Sequence, residues 1–244
     1  MLFRSADGYT LLLQAPPLAI NMSLFRKLPY DTLRDFAPII LLTRVPNVMS
    51  VHPSVPARSV KELVALAKAR PGQLNFGSGG QGSANHMAAE LLKLAAGINI
   101  VHVPYKGSAP AIVDAVGGHV EILFVGVSSI IQLIEVGKLR PLASGGEKRL
   151  AVLPKTPTFI ESGYPEMTTS VWFGLLAPVG TPADIVNKIN ADAGRAIATP
   201  EVRKRLIDDG QEPGGGSPED YARFLRNDIE RYAKVVKAAN IRGE

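Results

Sequence analysis

The chain contains no cysteine, which excludes disulfide staples and thiolate metal sites alike. Aromatic residues make up only 6% of it, with a single tryptophan, so there are few platforms on which nucleic-acid bases could stack. Its four histidines, His52, His86, His102 and His119, form no pair at ligand spacing such as His-x-x-x-His, and no metal site is expected. No membrane span is expected either, because the longest apolar stretch, from Ile122 to Val136, is broken by Gly126, Ser128, Ser129, Gln132 and Glu135. Charge is dispersed. The net charge is +5, yet the tightest basic cluster, Arg203-Lys204-Arg205, reads as a solvated helix face, and nucleic acid is not an expected partner. Met1-Leu2-Phe3-Arg4-Ser5 is too short for the apolar region of a signal peptide, so no export signal is expected within this chain.

What is present is an alternation of strand and helix signals. At 244 residues and 46% hydrophobic, the chain can bury one large core or two modest ones. Strand patterns are expected at residues 9–13, 39–43, 48–51, 98–103, 122–125, 139–143 and 171–177, with Pro46-Asn47 separating the second from the third. Pro16-Pro17 stops the first strand, and an irregular segment is expected over 21–34. Ser59-Val60-Lys61-Glu62 is a capping box, and Val60, Leu63, Val64 and Ala67 give the following helix a core face. Further helices are expected over 109–116, with Ser108 as cap, over 130–136, and around Phe159. Thr181-Pro182-Ala183-Asp184, Thr199-Pro200 and Ser217-Pro218-Glu219-Asp220 each read as helix starts. The pattern implies an α/β fold with mostly parallel sheets.

One stretch organises the rest. Residues 74–94 run from a strand end through Gly77, Gly79, Gly80 and Gly82 to Ser83 at an N-cap, then to Met87, Leu91 and Leu94 at helical spacing. A glycine loop aimed at a helix start is a natural seat for an anion, since the helix's first amides lack intrahelical partners and carry its positive dipole end. Two other readings stand beside this one. In one the glycines simply permit a tight strand-to-helix turn, and in the other Gly77-x-Gly79-x-x-Gly82 is a dinucleotide fingerprint serving a nicotinamide-dependent oxidoreductase. The fingerprint also requires an acid about 20 residues on, whereas the next strand ends in Pro104-Tyr105-Lys106-Gly107.

Phe76-Gly-Ser-Gly-Gly-Gln-Gly-Ser-Ala-Asn-His86, Val103-Pro-Tyr-Lys-Gly107, Gly137-Lys-Leu-Arg140, Trp172-Phe-Gly174 and Ala177-Pro-x-Gly-Thr-Pro182 follow one another in that order. With Leu28-Pro-Tyr-Asp-x-x-x-Asp-Phe36 and Pro200-Glu-Val-Arg203, this set resembles the Bug family, the extracytoplasmic solute receptors of tripartite tricarboxylate transporters. The resemblance implies a two-lobed periplasmic-binding-protein-like fold (type II), one lobe from residues 1–51 with 172–244 and the other from 52–171. It implies a small carboxylate ligand (a dicarboxylate, an amino acid or an aromatic acid) held between the lobes by hinge closure. It also implies the membrane components of a tripartite transporter as partners, and a periplasmic location. The family begins with a strand–helix–strand unit, whereas Asp7-Gly8-Tyr9-Thr10 comes almost at once here, so the fold is expected to be N-terminally truncated.

The expected ligand-binding residues follow from the loop and from the resemblance together: Ser78, Gly79, Gly80, Gln81, Gly82 and Ser83. His86 either touches the ligand or is a satisfied structural histidine, and Lys106 either joins Tyr105 and Gly107 at the site or is a solvated charge. The resemblance adds Ala15 and Val125, the latter standing where many relatives carry Asp. No catalytic residue and no cofactor are expected. Ser83 and His86 sit three apart, as in capping, and no G-x-S-x-G elbow occurs. Saturable binding without turnover would mark a receptor, turnover an enzyme, and an exposed apolar patch an interaction module.

Overall fold

The computed structural model describes residues 5–243, and the reading of residues 1–4 lies outside them. Its longest strand, β2 (Phe36–Val51), has 16 residues and runs through Pro46-Asn47 without interruption. Two strands separated by that dipeptide were the expectation. Proline removes one donor but keeps an extended φ, and pairing resumes at once. The Asn47 amide donates to the Thr169 carbonyl at 2.9 Å, and its own carbonyl accepts from Gly145 N–H at 2.7 Å.

The chain forms two compact units: Met1–Arg44 with Trp172–Ile207 and Gln211–Glu244, and Val45–Val171 with Asp208–Gly210. In the first, β1 (Leu12–Gln14) pairs antiparallel with β7 (Ser170–Pro178), Leu13 opposite Leu175. The expected strand over 9–13 is thus displaced toward Pro16. Antiparallel to β2 lies β8 (Glu212–Gly215), a strand its Glu-Pro-Gly-Gly sequence conceals. Gly214 passes so close to the Leu41 carbonyl that any side chain there would collide.

Helix α1 (Pro17–Leu24) replaces the start of the segment expected to be irregular, because Leu18, Ala19, Ile20 and Leu24 find a buried face. It packs along α8 (Pro218–Ala238), whose capping box is complete: Ser217 Oγ accepts from Asp220 N–H and the Asp220 carboxylate accepts from Ser217 N–H. Ile39, Ile40 and Ala177 pack with Val186 and Ile197 of α6 (Ala183–Ala198). Proline opens the succeeding helix, α7 (Pro200–Asp208), as expected.

In the second unit the strand order is β6 (Arg140–Ser144), β2, β5 (Ile122–Gly126), β3 (Asn75–Ser78), β4 (Val101–Pro104). Among the described strands there, β3 pairs parallel with β4 and β5, while β2 runs antiparallel to β5 and β6. The expectation of mostly parallel sheets is corrected accordingly, since β2 returns against the strands that helices connect. Helix α2 (Val60–Ala69) is capped by Ser59, but the Glu62 carboxylate reaches Arg58 N–H instead of closing the box on Ser59. Phe159 lies in a turn and not a helix, fully buried with Phe76, Phe124, Leu63 and Leu92. The remaining helices are α3 (Ala84–Ala96), α4 (Ser108–Gly117) and α5 (Ile131–Glu135). Among the described residues, no helix is long and apolar enough to cross a membrane.

Two expected outcomes follow. In the first unit Trp172 Nε1–H donates to Asp228 Oδ2 at 2.7 Å, and burial raises the Asp228 pKa against the opposing pull of that bond and of Arg231. A raised folded-state value means a contribution present at low pH and lost as pH rises through it. Asp228→Asn keeps an acceptor without the charge, so chemical denaturation at pH 7 should show a gain of about 1 kcal/mol. No gain would mean that the charge is well compensated. The second outcome concerns β1, which ends the strand order. Tyr9, Leu11 and Leu13 are exposed at 93%, 40% and 58%. Of these, Leu13 lies on the strand itself, and an exposed apolar side chain on an edge strand favours association. Size-exclusion chromatography should show self-association that Leu13→Lys abolishes without changing the melting temperature.

Candidate functional site

The parallel register of β3 and β4 sets Phe76 beside His102 and Ser78 beside Pro104, so both strands end together. Two loops therefore leave side by side at the carboxyl ends of parallel strands, where open α/β sheets place ligands. Backbone bonds lock them. Tyr105 N–H donates to the Ser78 carbonyl and Gly107 N–H to the Gly79 carbonyl, both at 3.2 Å. Asn85 Nδ2 adds a third link by donating to Ser108 Oγ at 3.2 Å.

This closeness is what requires glycine. A side chain on Gly80 would begin 2.9 Å from the Tyr105 carbonyl oxygen, and its φ of +118° is a conformation that other residues rarely adopt. Ser83 then caps α3, its Oγ accepting from His86 N–H at 3.2 Å. The cap expected on α4 is different: Gly107, with φ +104°, takes the place foreseen for Ser108. Two helix starts thus adjoin the paired loops. Neither residues 77–86 nor 104–108 include an acid, so neither loop itself sets a negative charge against the helix dipoles.

The expected site residues separate into two groups. Gly79, Gly80 and Ser83 are partly exposed, and Gln81, Lys106 and Gly107 are exposed along the loops. Ser78, His86 and Val125 are buried. Ser78 Oγ accepts from Gly80 N–H at 3.2 Å and sits 2.7 Å from His102 Nε2. His86 Nδ1 accepts from the buried Gly82 N–H at 3.2 Å, which makes it a packed structural histidine. Val125 lies opposite Val48 in the sheet core. Tyr105 is half-buried. Its hydroxyl donates to Asp114 Oδ2 at 2.7 Å, and burial together with that bond pushes its pKa up to about 12. Ala15 belongs to the other unit, with its amide directed at its neighbour Gln14 Oε1 at 3.3 Å.

Residues that the sequence did not single out complete the arrangement. His102, Asn85 and Asp114 anchor Ser78, Ser108 and Tyr105 respectively. In the sequence His102 stands out only as one of four histidines without a partner at metal-ligand spacing. Its role is visible once β4 pairs with β3, because only that register brings it to Ser78. Glu90 lies beneath the loop, where burial alone would raise its carboxyl. The His86 ring 3.7 Å away and the Lys93 ammonium at 2.7 Å outweigh burial and hold it below its ordinary value. Among the described residues, no group of three or more His, Cys, Asp or Glu could hold a metal ion. Gly77 has a packing role, since a side chain there would meet Val120, Tyr105 and Ala111 within 3.5 Å.

Comparison with known proteins bears on this geometry. Residues 1–241 match the tripartite tricarboxylate transporter family receptor, TctC. The chain is 37% identical over 235 residues to protein BugT of Bordetella pertussis, covering 96% of this chain and 72% of BugT. Among solved structures it is similar to R. palustris Rpa4515 with adipate, at TM-score 0.91 and 38% identity, covering 99% of this chain and 81% of that one. MatC (Rpa3494) from Rhodopseudomonas palustris with bound malate gives TM-score 0.86 and 29% identity, covering 96% and 81%. These relatives are solute-binding receptors and not enzymes, and their fold is that of periplasmic binding proteins. From the ordered motifs, the paired glycine loops and these likenesses, the chain belongs to the Bug family of tripartite tricarboxylate transporter receptors.

Proposed function

We propose that this chain is an extracytoplasmic receptor that captures a small dicarboxylate and delivers it to the membrane components of a tripartite transporter. The observation that carries the reading is the pair of interlocked loops, Gly79–Ser83 and Tyr105–Gly107, at two helix starts free of acidic residues. An α-helix leaves its first amides without an intrahelical partner, and Ser83 takes that of His86, so those of Ala84 and Asn85, both buried residues, are the remaining first-turn donors of α3. A carboxylate oxygen can accept from such amides, each charge-assisted bond contributing about 1.5–3 kcal/mol. Lys106 is exposed beside them and adds a positive charge that salt would screen. Adipate and malate, bound by two relatives, share two carboxylates and differ in chain length, which supports dicarboxylates as the class to test.

Isothermal calorimetry against adipate, malate and a monocarboxylate control tests the proposal. Saturable binding of a dicarboxylate is expected, and at about 100 times its Kd the melting transition should gain about 2.7 kcal/mol. Gly80→Val forces a branched side chain into a φ of +118° against the Tyr105 carbonyl. It should weaken binding at least tenfold, about 1.4 kcal/mol, while the circular-dichroism spectrum is unchanged. Unaltered affinity in that variant would remove the loop from the site.

A further inference from the structure

Two histidines, His86 buried and His102 half-buried, lie under the glycine loop. The rings of His86 and His102 stack with centroids 3.9 Å apart and planes 10° apart. Phe76 is nearly parallel to both, 4.8 Å from His102 and 6.3 Å from His86. Each histidine engages a different glycine. His86 Nδ1 accepts directly from Gly82 N–H at 3.2 Å. His102 acts through Ser78: its Nε2 is 2.7 Å from Ser78 Oγ, which accepts from Gly80 N–H and lies 3.2 Å from the Gly80 carbonyl.

Hydrogen-bond accounting assigns the protons. As an acceptor at Nδ1, His86 carries its proton on Nε2, facing Glu90 Oε1 at 3.7 Å. For His102, only a proton on Nε2 satisfies every partner. That N–H donates to Ser78 Oγ, the serine hydroxyl donates to the Gly80 carbonyl, and the Gly80 amide donates back to the same oxygen. With the proton on Nδ1 instead, the serine hydroxyl would be spent on the ring and would leave the Gly80 carbonyl. The groups facing His102 are Phe76 and Ser78 from β3 and His86, Glu90 and Lys93 from α3. Burial, followed by His86, depresses its pKa to about 4, with Lys93 adding to the depression and Glu90 opposing it. The ring is therefore neutral at pH 7.

We propose that the stacked pair His86–His102 is the positioning device of the ligand loop, fixing Gly82 directly and Gly80 through Ser78. This rests on the carboxylate reading of that loop. Neither histidine meets the ligand. Together they set the directions of the peptide groups that do, from a layer beneath the loop in which His86 is buried and His102 half-buried.

Amide hydrogen exchange tests the device without any ligand, and adipate titration tests its consequence. His102→Phe keeps a flat ring for the stack but removes the link to Ser78. The Gly80 amide should then exchange about tenfold faster, with the Gly82 amide, which His86 holds, and the core amides of Leu63 and Leu92 unchanged. Ser78→Ala should do the same, the double variant should be no worse than either single one, and His102→Gln should restore protection. Where His102→Phe fails to fold, Ser78→Ala, which leaves both rings in place, decides alone. Unchanged Gly80 exchange in a folded variant would overturn the proposal. Nitrogen NMR should show His102 protonated on Nε2 and neutral from pH 8 to about pH 5, and titration near its ordinary 6.5 would also overturn it. Because the folded-state pKa is depressed, the His102 contribution is complete above pH 6.5 and is lost as pH falls toward 4. The stability slope across that interval should flatten in His102→Phe. Adipate affinity should fall about tenfold in His102→Phe and recover in His102→Gln. If the exchange results hold and the wild type binds no adipate, the positioning role stands and the adipate reading fails.

Discussion

The parallel register of β3 and β4 is the constraint on which the candidate site depends. It places Ser78 and Pro104 side by side, so the two loops that follow must share one small space. Sharing that space demands glycine at 79 and 80, because side chains there would meet Ser108 and the Tyr105 carbonyl. The same register carries His102 to Ser78. One pairing choice therefore fixes the loop backbone, its glycine requirement and the layer that supports it. A one-residue slip of β4 would turn His102 away from the loop, while Phe76 stays held by the pairing of β3 with β5.

Local chemistry was well legible where it acts over a few residues. The caps at Ser59, Ser83 and Ser217 each accept the amide three residues on, as the sequence indicates. The glycine loop and the helix that follows it were equally readable from spacing. What local reading missed depends on distant partners. Pro46-Asn47 signals a break, yet the backbone of Asn47 is held on both sides by Thr169 and Gly145, far away in the chain. Glu212-Pro-Gly-Gly signals a loop, but the Leu41 backbone turns it into a strand. In both places tertiary pairing overrides propensity.

The site was legible to the same depth. Its loops follow from glycine, serine and helix-start signals, whereas the division between exposed and buried members does not. Ser78 and Ser83 look alike in sequence. In the structure Ser83 is partly exposed at a helix cap, while Ser78 is fully buried in a hydrogen-bond chain to His102. Of the two alternatives for His86, its burial and its bond to Gly82 favour the structural one. Periodicity cannot supply this information, since it depends on which strand lies alongside.

A site built from backbone groups has a particular economy of specificity. Neither loop carries arginine, and Lys106 is exposed, so in the proposed site the grip on an anion would fall chiefly to oriented amides and helix dipoles. Such donors are already in place before the anion arrives, and little reorganisation opposes binding. They recognise a carboxylate as a shape of charge and are indifferent to the rest of the molecule. Discrimination among carboxylates must then come from side chains outside these loops. Because the amides cannot be altered by substituting their own side chains, the loop can be retuned only through what holds it. The layer beneath it, Ser78 with His86 and His102, is where such retuning acts.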